Sequence, residues 1–109
     1  MTVVKKIKDQ LIKALLGKES VPRGLFELNQ YFRQYGPIAF RYEKGEAGQL
    51  IAISDNFRFG SIVTSGKDTR ELDQNIKDAI LTSFEIPSSY FKEANIIRVG
   101  DAQKEYALA

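Results

Sequence analysis

Residues 60–80, Gly-Ser-Ile-Val-Thr-Ser-Gly-Lys-Asp-Thr-Arg-Glu-Leu-Asp-Gln-Asn-Ile-Lys-Asp-Ala-Ile, constrain the fold more than any other part of the chain. A short β-branched run, a glycine turn and a capped amphipathic helix follow one another without a gap. Ile62 and Val63 belong to a strand expected over residues 61–65, and Gly66-Lys67 turns the chain. Asp68 or Thr69 stands where a side-chain oxygen accepts the free N–H groups of a first helical turn. Asp68 and Glu71 have capping-box spacing. Leu72, Ile76, Ala79 and Ile80 then recur on one helical face, extended by Phe84, while Asp73, Lys77 and Asp78 fall on the water side. Ile86-Pro87 ends the helix, because the residue before a proline is driven out of the helical region.

Ahead of this unit the hydrophobic period changes once. Val4, Ile7, Leu11 and Leu15 predict a helix over residues 3–16, stopped by Gly17. A second helix is expected from about Pro22 to Tyr35, with Leu25, Leu28, Phe32 and Tyr35 as its stripe and Gly36-Pro37 as its end. The two make a helical hairpin, whose apolar stripes (Leu11, Leu15, Leu25, Leu28, Phe32) require a cover. Either they pack on the other side of the sheet or they pair with a second copy in a symmetric dimer. From Ile38 the period becomes two: Ile38, Phe40 and Tyr42 alternate with Ala39, Arg41 and Glu43. Lys44–Gly48 is a glycine-bounded hairpin loop, residues 49–54 are the return strand with Ile51 and Ile53 sharing a face, and residues 55–60 are a loop. After the long helix, Pro87 to Phe91 reads as a further turn that folds Tyr90 and Phe91 onto the core. Residues 96–99 and 104–108 read as strands around Gly100-Asp101, one of which joins the sheet. At 109 residues there is room for a single core. The expected fold is α+β: a helical hairpin over residues 1–36 and, over 37–109, an antiparallel sheet of three or four strands with one long helix on a face.

Composition removes most catalytic chemistry. The chain has no cysteine and no histidine, so thiolates, disulfides, the commonest general base and the commonest metal ligand are all missing. Ser61, Thr64 and Ser65 have no histidine to activate them and no lysine at an activating spacing. Ser65-Gly66-Lys67 lacks the glycine spacing of a phosphate loop. Asp55, Asn56 and Asp68 are the oxygen donors a hard cation would seek, but adjacent Asp and Asn at a turn serve local backbone bonds. A non-catalytic protein with no metal and no cofactor is expected. No apolar run has the roughly 18 residues of a membrane span, and the N-terminal region lacks a signal-peptide core; a cytoplasmic location is expected.

Charge is unevenly spread. Residues 1–36 carry seven Lys/Arg against three Asp/Glu, and residues 37–109 carry nine against eleven. Lys5, Lys6, Lys8, Lys13, Lys18 and Arg23 could track phosphates. A charge run on a helix is more often its solvated face, and Lys5, Lys6, Lys8 and Lys13 do not share one narrow stripe. Arg41 and Tyr42 could imitate an RNA-binding platform, but Phe40 and Tyr42 share a face with Ile38, which argues for core. The loop Asp55, Asn56, Phe57, Arg58, Phe59 is the candidate partner-binding segment, since aromatics around an arginine are the residue types that anchor interfaces. The competing reading is that its phenylalanines close the core.

The order of elements and several residues resemble the HicB-like family, the antitoxin-type partners of type II toxin–antitoxin modules. The family's strand of the type Gly-x-Val-Thr-x-Gly leads into a helix of the type Asp-Thr-x-Glu-x-x-x-Asn-x-x-Glu-Ala. The corresponding residues here are Gly60, Val63, Thr64, Gly66, Asp68, Thr69, Glu71, Asn75, Ala79 and Ile80. Residues 51–59 match the position of the family's acidic, proline-bearing loop, without its prolines and with Arg58 between two phenylalanines. The resemblance covers about residues 38–86. It implies the β-β-β-α-β fold, self-association, and binding of a small basic RNase toxin through the sheet and its loops. The family's operator-binding segment follows the domain, where this chain reads as strand and turn, so DNA binding is not carried over. Two further readings stay open: a small nucleic-acid-binding protein using the basic helices, and a self-associating adaptor.

Overall fold

The computed structural model describes residues 20–100, 102 and 104–109. The helix expected over residues 3–16 and the lysines Lys5, Lys6, Lys8, Lys13 and Lys18 lie outside them. Helix α1 (Ser20–Tyr35) leads into β1 (Ile38–Lys44), β2 (Leu50–Ser54) and β3 (Val63–Gly66). Helix α2 (Thr69–Ser83) follows, then a 3₁₀ turn (Ser88–Tyr90), the short α3 (Phe91–Ala94), β4 (Ile96–Val99) and β5 (Glu105–Leu108). The α+β class stands, but the sheet has five antiparallel strands in the order β3-β2-β1-β5-β4 rather than three or four. Both late segments join it, β5 against β1 and β4 against β5.

Register decides which side chains meet. Phe40 lies opposite Ser54, Tyr42 opposite Ala52 and Ala52 opposite Thr64; Ile38 lies opposite Tyr106. Because side chains alternate across a strand, these share one face, and the helices cover it. Leu72, Ile76, Ile80 and Leu81 of α2 join Leu28, Tyr31 and Phe32 of α1 in one cluster with Ile38, Phe40, Ala52 and Tyr106. The α1 stripe therefore packs into the same core as α2 and needs no second copy to cover Leu28 and Phe32, while Tyr35 stays exposed. The opposite face, carrying Arg41, Glu43, Ile51, Ile53 and Val63, is left more open. Ile51 and Ile53 do share a face, and it is this one.

Half of the capping box forms as its spacing predicts, with the Glu71 N–H donating to Asp68 Oδ1 at 2.8 Å; the return bond shifts by one residue, Glu71 Oε1 accepting from the Lys67 N–H at 3.1 Å rather than from that of Asp68. The helix ends at Ser83, before Ile86-Pro87, in a Schellman arrangement. Glu85 takes the left-handed conformation (φ 59°) and its N–H donates to the Thr82 carbonyl, while the Ile86 N–H donates to the Leu81 carbonyl. Helix α1 crosses this end closely. A Cβ at Gly24 would stand 2.8 Å from the Phe84 carbonyl oxygen.

Two expectations are corrected by long-range packing. Asp73 is not on a solvated side: it is partly buried and accepts a 2.7 Å hydrogen bond from the Tyr106 hydroxyl. Lys77 and Arg98 also pair with it, at 3.2 and 3.8 Å. Phe91 does not fold onto the core but stands 57% exposed, whereas Tyr90 is partly buried against it.

Tyr106 makes the fold sensitive to alkali. Burial pushes its phenol far above the ordinary value, and the hydrogen bond to Asp73 adds to that. The folded pKa lies above the unfolded one, so the contribution is fully present below about pH 10 and is lost as pH rises beyond it. Denaturant titrations between pH 8 and 12 should show stability declining above about pH 10. Tyr106→Phe should flatten that decline and cost roughly 1–2 kcal/mol at pH 7; an unchanged alkaline limb would separate it from this phenol.

Candidate protein-binding surface

The loop between β2 and β3 is held from three sides, and each clamp has a residue-level cause. Asn56 closes it onto the start of β1: its Oδ1 accepts from the Ala39 N–H at 2.8 Å and its Nδ2 donates to the Pro37 carbonyl at 3.1 Å. Asp55 accepts from Arg41 Nη1 at 2.7 Å, and its own N–H donates to the Ala39 carbonyl at 2.8 Å. The guanidinium of Arg41 is raised further above its ordinary value by the hydrogen bond to Asp55 and then by that to Glu43. The third clamp is Tyr31 of α1. Its hydroxyl oxygen accepts from the Arg58 N–H at 2.9 Å, and the hydroxyl reaches the Asn56 carbonyl at 3.5 Å.

The Tyr31 ring is the hub of an aromatic cluster. Its centroid lies 5.2 Å from Phe57, 5.3 Å from Phe59, 5.7 Å from Phe84 and 4.9 Å from Tyr35. Such tilted and edge-on pairs are the favoured aromatic geometries. The two loop phenylalanines divide between the readings the sequence left open. Phe57 is partly buried and packs against the core, while Phe59, 5.6 Å away, is 65% exposed. Arg58 is exposed beside it, its guanidinium carbon 4.9 Å from the Tyr35 ring.

Of the five candidate residues, then, Asn56 and Phe57 hold the loop in place and Asp55 is tied to Arg41. Arg58 and Phe59 face outward, joined by Tyr35. A shallow pocket of about 230 Å³ adjoins them, lined by Glu27, Gln30, Tyr31, Gln34, Tyr35 and Phe59. Tyr35 and the pocket were not foreseen, although Tyr35 at the end of an apolar stripe, just before Gly36-Pro37, is where a helix hands its last side chain to a neighbouring loop.

The oxygen donors weighed for a cation are not brought together. Asp68 caps α2, and because Leu50 pairs with Gly66 while Ile53 pairs with Val63, it lies at the opposite end of β2 and β3 from Asp55. Among the described residues no helix is long and apolar enough to cross a membrane. No family model, no curated protein and no solved structure matches this chain.

Proposed function

We propose that this chain is a non-catalytic binding protein, resembling the HicB-type antitoxin domain, that covers a small basic RNase-type toxin or a related protein. The observation that carries the reading is the rigid outward patch of Arg58, Phe59 and Tyr35. An exposed phenylalanine normally loses rotamer freedom when a partner immobilises it. Here the loop is already clamped by Tyr31, Asn56 and Asp55, so much of that ordering has been done before a partner arrives. Arginine and aromatic side chains on such a support are the residue types that dominate interface energies. The excess of Asp/Glu over Lys/Arg in residues 37–109 favours encounter with a basic partner, raising association rate more than affinity.

The test is a tagged pull-down from the native host after nuclease treatment, with mass spectrometry and gel filtration of what is recovered. A small basic protein at fixed stoichiometry supports the reading. Nucleic acid recovered only when nuclease is omitted would replace it with phosphate binding by the N-terminal lysines. Bait alone under both conditions would leave a self-associating adaptor. Against a recovered partner, Arg58→Glu should weaken binding about tenfold or more, while thermal unfolding shows a stability change of no more than about 1 kcal/mol, the worth of its contact with Tyr35. Undiminished affinity would take this loop out of the interface.

A further inference from the structure

The β3 edge offers a binding surface of a different kind. Among the described strands, β3 pairs with β2 alone. The Ser54 N–H donates to the Ile62 carbonyl at 2.9 Å, and the Ile62 N–H turns to Ser54 Oγ at 2.8 Å. Bonded and non-bonded pairs alternate along an antiparallel ladder. With Ser54 and Ile62 bonded, the Ile53–Val63 and Ile51–Ser65 pairs of this register are the non-bonded ones. The N–H and C=O groups of Val63 and Ser65 therefore point away from β2, toward the free edge. Helix α2 already meets one of them: Asn75 Nδ2 donates to the Ser65 carbonyl at 2.7 Å. Between this edge and α2 runs a groove of about 390 Å³, whose walls include Val63, Thr64, Asn75, Asp78, Ala79 and Thr82. Asp78, its one charged wall residue, forms no ion pair among the described residues.

We infer that the groove takes an extended segment of a basic partner protein as a sixth strand, paired through the backbone of Val63 and the Ser65 N–H. The segment's side chains alternate: those on the helix side meet Asp78, and those on the other side lie beside Val63 on the open face of the sheet. This predicts an occupant alternating Lys or Arg with Val or Ile. A second copy fits less well. Pairing β3 with its own symmetry mate would set two α2 helices along one seam and turn Asp78 toward Asp78, placing like charges together. The inference rests on the binding reading above for the partner's basic character, while the edge geometry stands independently of it.

The experiment is a ¹⁵N NMR titration of the full chain with two capped hexapeptides, one alternating Lys and Val, the other alternating Glu and Val. The Lys-Val peptide should shift the amides of Val63, Ser65 and Asp78 and slow exchange of the Val63 N–H. Val63→Pro, which removes an N–H that faces outward rather than into the ladder, should abolish the effect. Asp78→Lys should weaken binding about tenfold, and it decides the matter if the proline variant does not fold. Equal binding of the Glu-Val peptide overturns the proposal, as do shifts confined to Tyr35, Arg58 and Phe59. Protection of Val63 that grows with protein concentration alone overturns it in favour of a second copy. A natural partner whose affinity follows Arg58→Glu but ignores both edge variants would remove the groove and leave the binding reading intact. Peptide pairing at Val63 with no partner recovered from the host would do the reverse.

Discussion

Gly66→Val should lower stability by about 3 kcal/mol or more, at the upper end of what overpacking costs, and reduce the melting temperature by roughly 10–20 °C. The cause is backbone against backbone. A Cβ at position 66 would stand 2.5 Å from the Leu72 nitrogen and 2.8 Å from its Cα. Neither atom belongs to a side chain that can rotate aside, so the first turn of α2 must lift from the end of β3. That displaces Leu72, which is completely buried, and disturbs the cap made by Asp68 and Glu71. A glycine elsewhere supplies the control. The nearest neighbour of a Cβ at Gly45 would be the side chain of Gln49, which can swing away, so Gly45→Ala should be far milder. Equal melting temperatures for Gly66→Val and the parent would mean that α2 is not seated this closely on the sheet.

Tyr31→Ala should cost about 3–5 kcal/mol, as large aromatic truncations in cores do, and should loosen the candidate interface as well. Tyr31 is 3% exposed, touches Phe57, Phe59 and Phe84, and gives the Arg58 N–H its acceptor. Tyr31→Phe keeps the ring and removes only the hydroxyl, so it should cost about 1 kcal/mol and release Arg58 selectively. The pair of variants separates packing from clamping. Urea denaturation measures the first, and hydrogen exchange at the Arg58 amide measures the second. Faster exchange at Arg58 with nearly unchanged stability in Tyr31→Phe is the expected signature. Unaltered exchange would mean that the hydroxyl does not hold the loop.

The features legible in the sequence were those whose cause is local. Asp68 with Glu71 announced the helix start because both bonds of the cap lie within five residues. Ile38, Phe40 and Tyr42 announced a strand because alternation is a property of the strand itself. What depended on distant partners was not legible. Asp73 looks solvated in the sequence because its partner Tyr106 comes from β5, 33 residues away. Alternation of Ile51 and Ile53 with Ala52 and Ser54 defined two faces but could not say which one the helices would cover. That choice was set by α1 and α2 packing over the smaller side chains, Ala52 and Ser54. Likewise Phe57 and Phe59 are chemically identical in the sequence and both rings reach Tyr31 and Phe84; only the path of the folded loop leaves one partly buried and the other exposed. The short β4 and β5 segments are legible as strands, but their joint pairing is not, since β5 pairs with β1, the strand most distant from it in the chain.

The strand order also bears on how this protein assembles. β1, β2, β3 and α2 are consecutive in the chain and neighbours in space, so they close with short loops and little entropic cost. β5 must instead travel back past α2 to lie against β1, and β4 reaches the sheet only through β5. Contacts between distant residues form late because the intervening chain must first be confined. The expected order is therefore local pairing of β1, β2, β3 and α2 first, with β5 bringing Tyr106 onto the core beside Phe40 afterwards. Pulsed hydrogen exchange should record this as protection at Ala52 preceding protection at Tyr106. Simultaneous protection would mean instead that β5 docks together with the rest of the sheet.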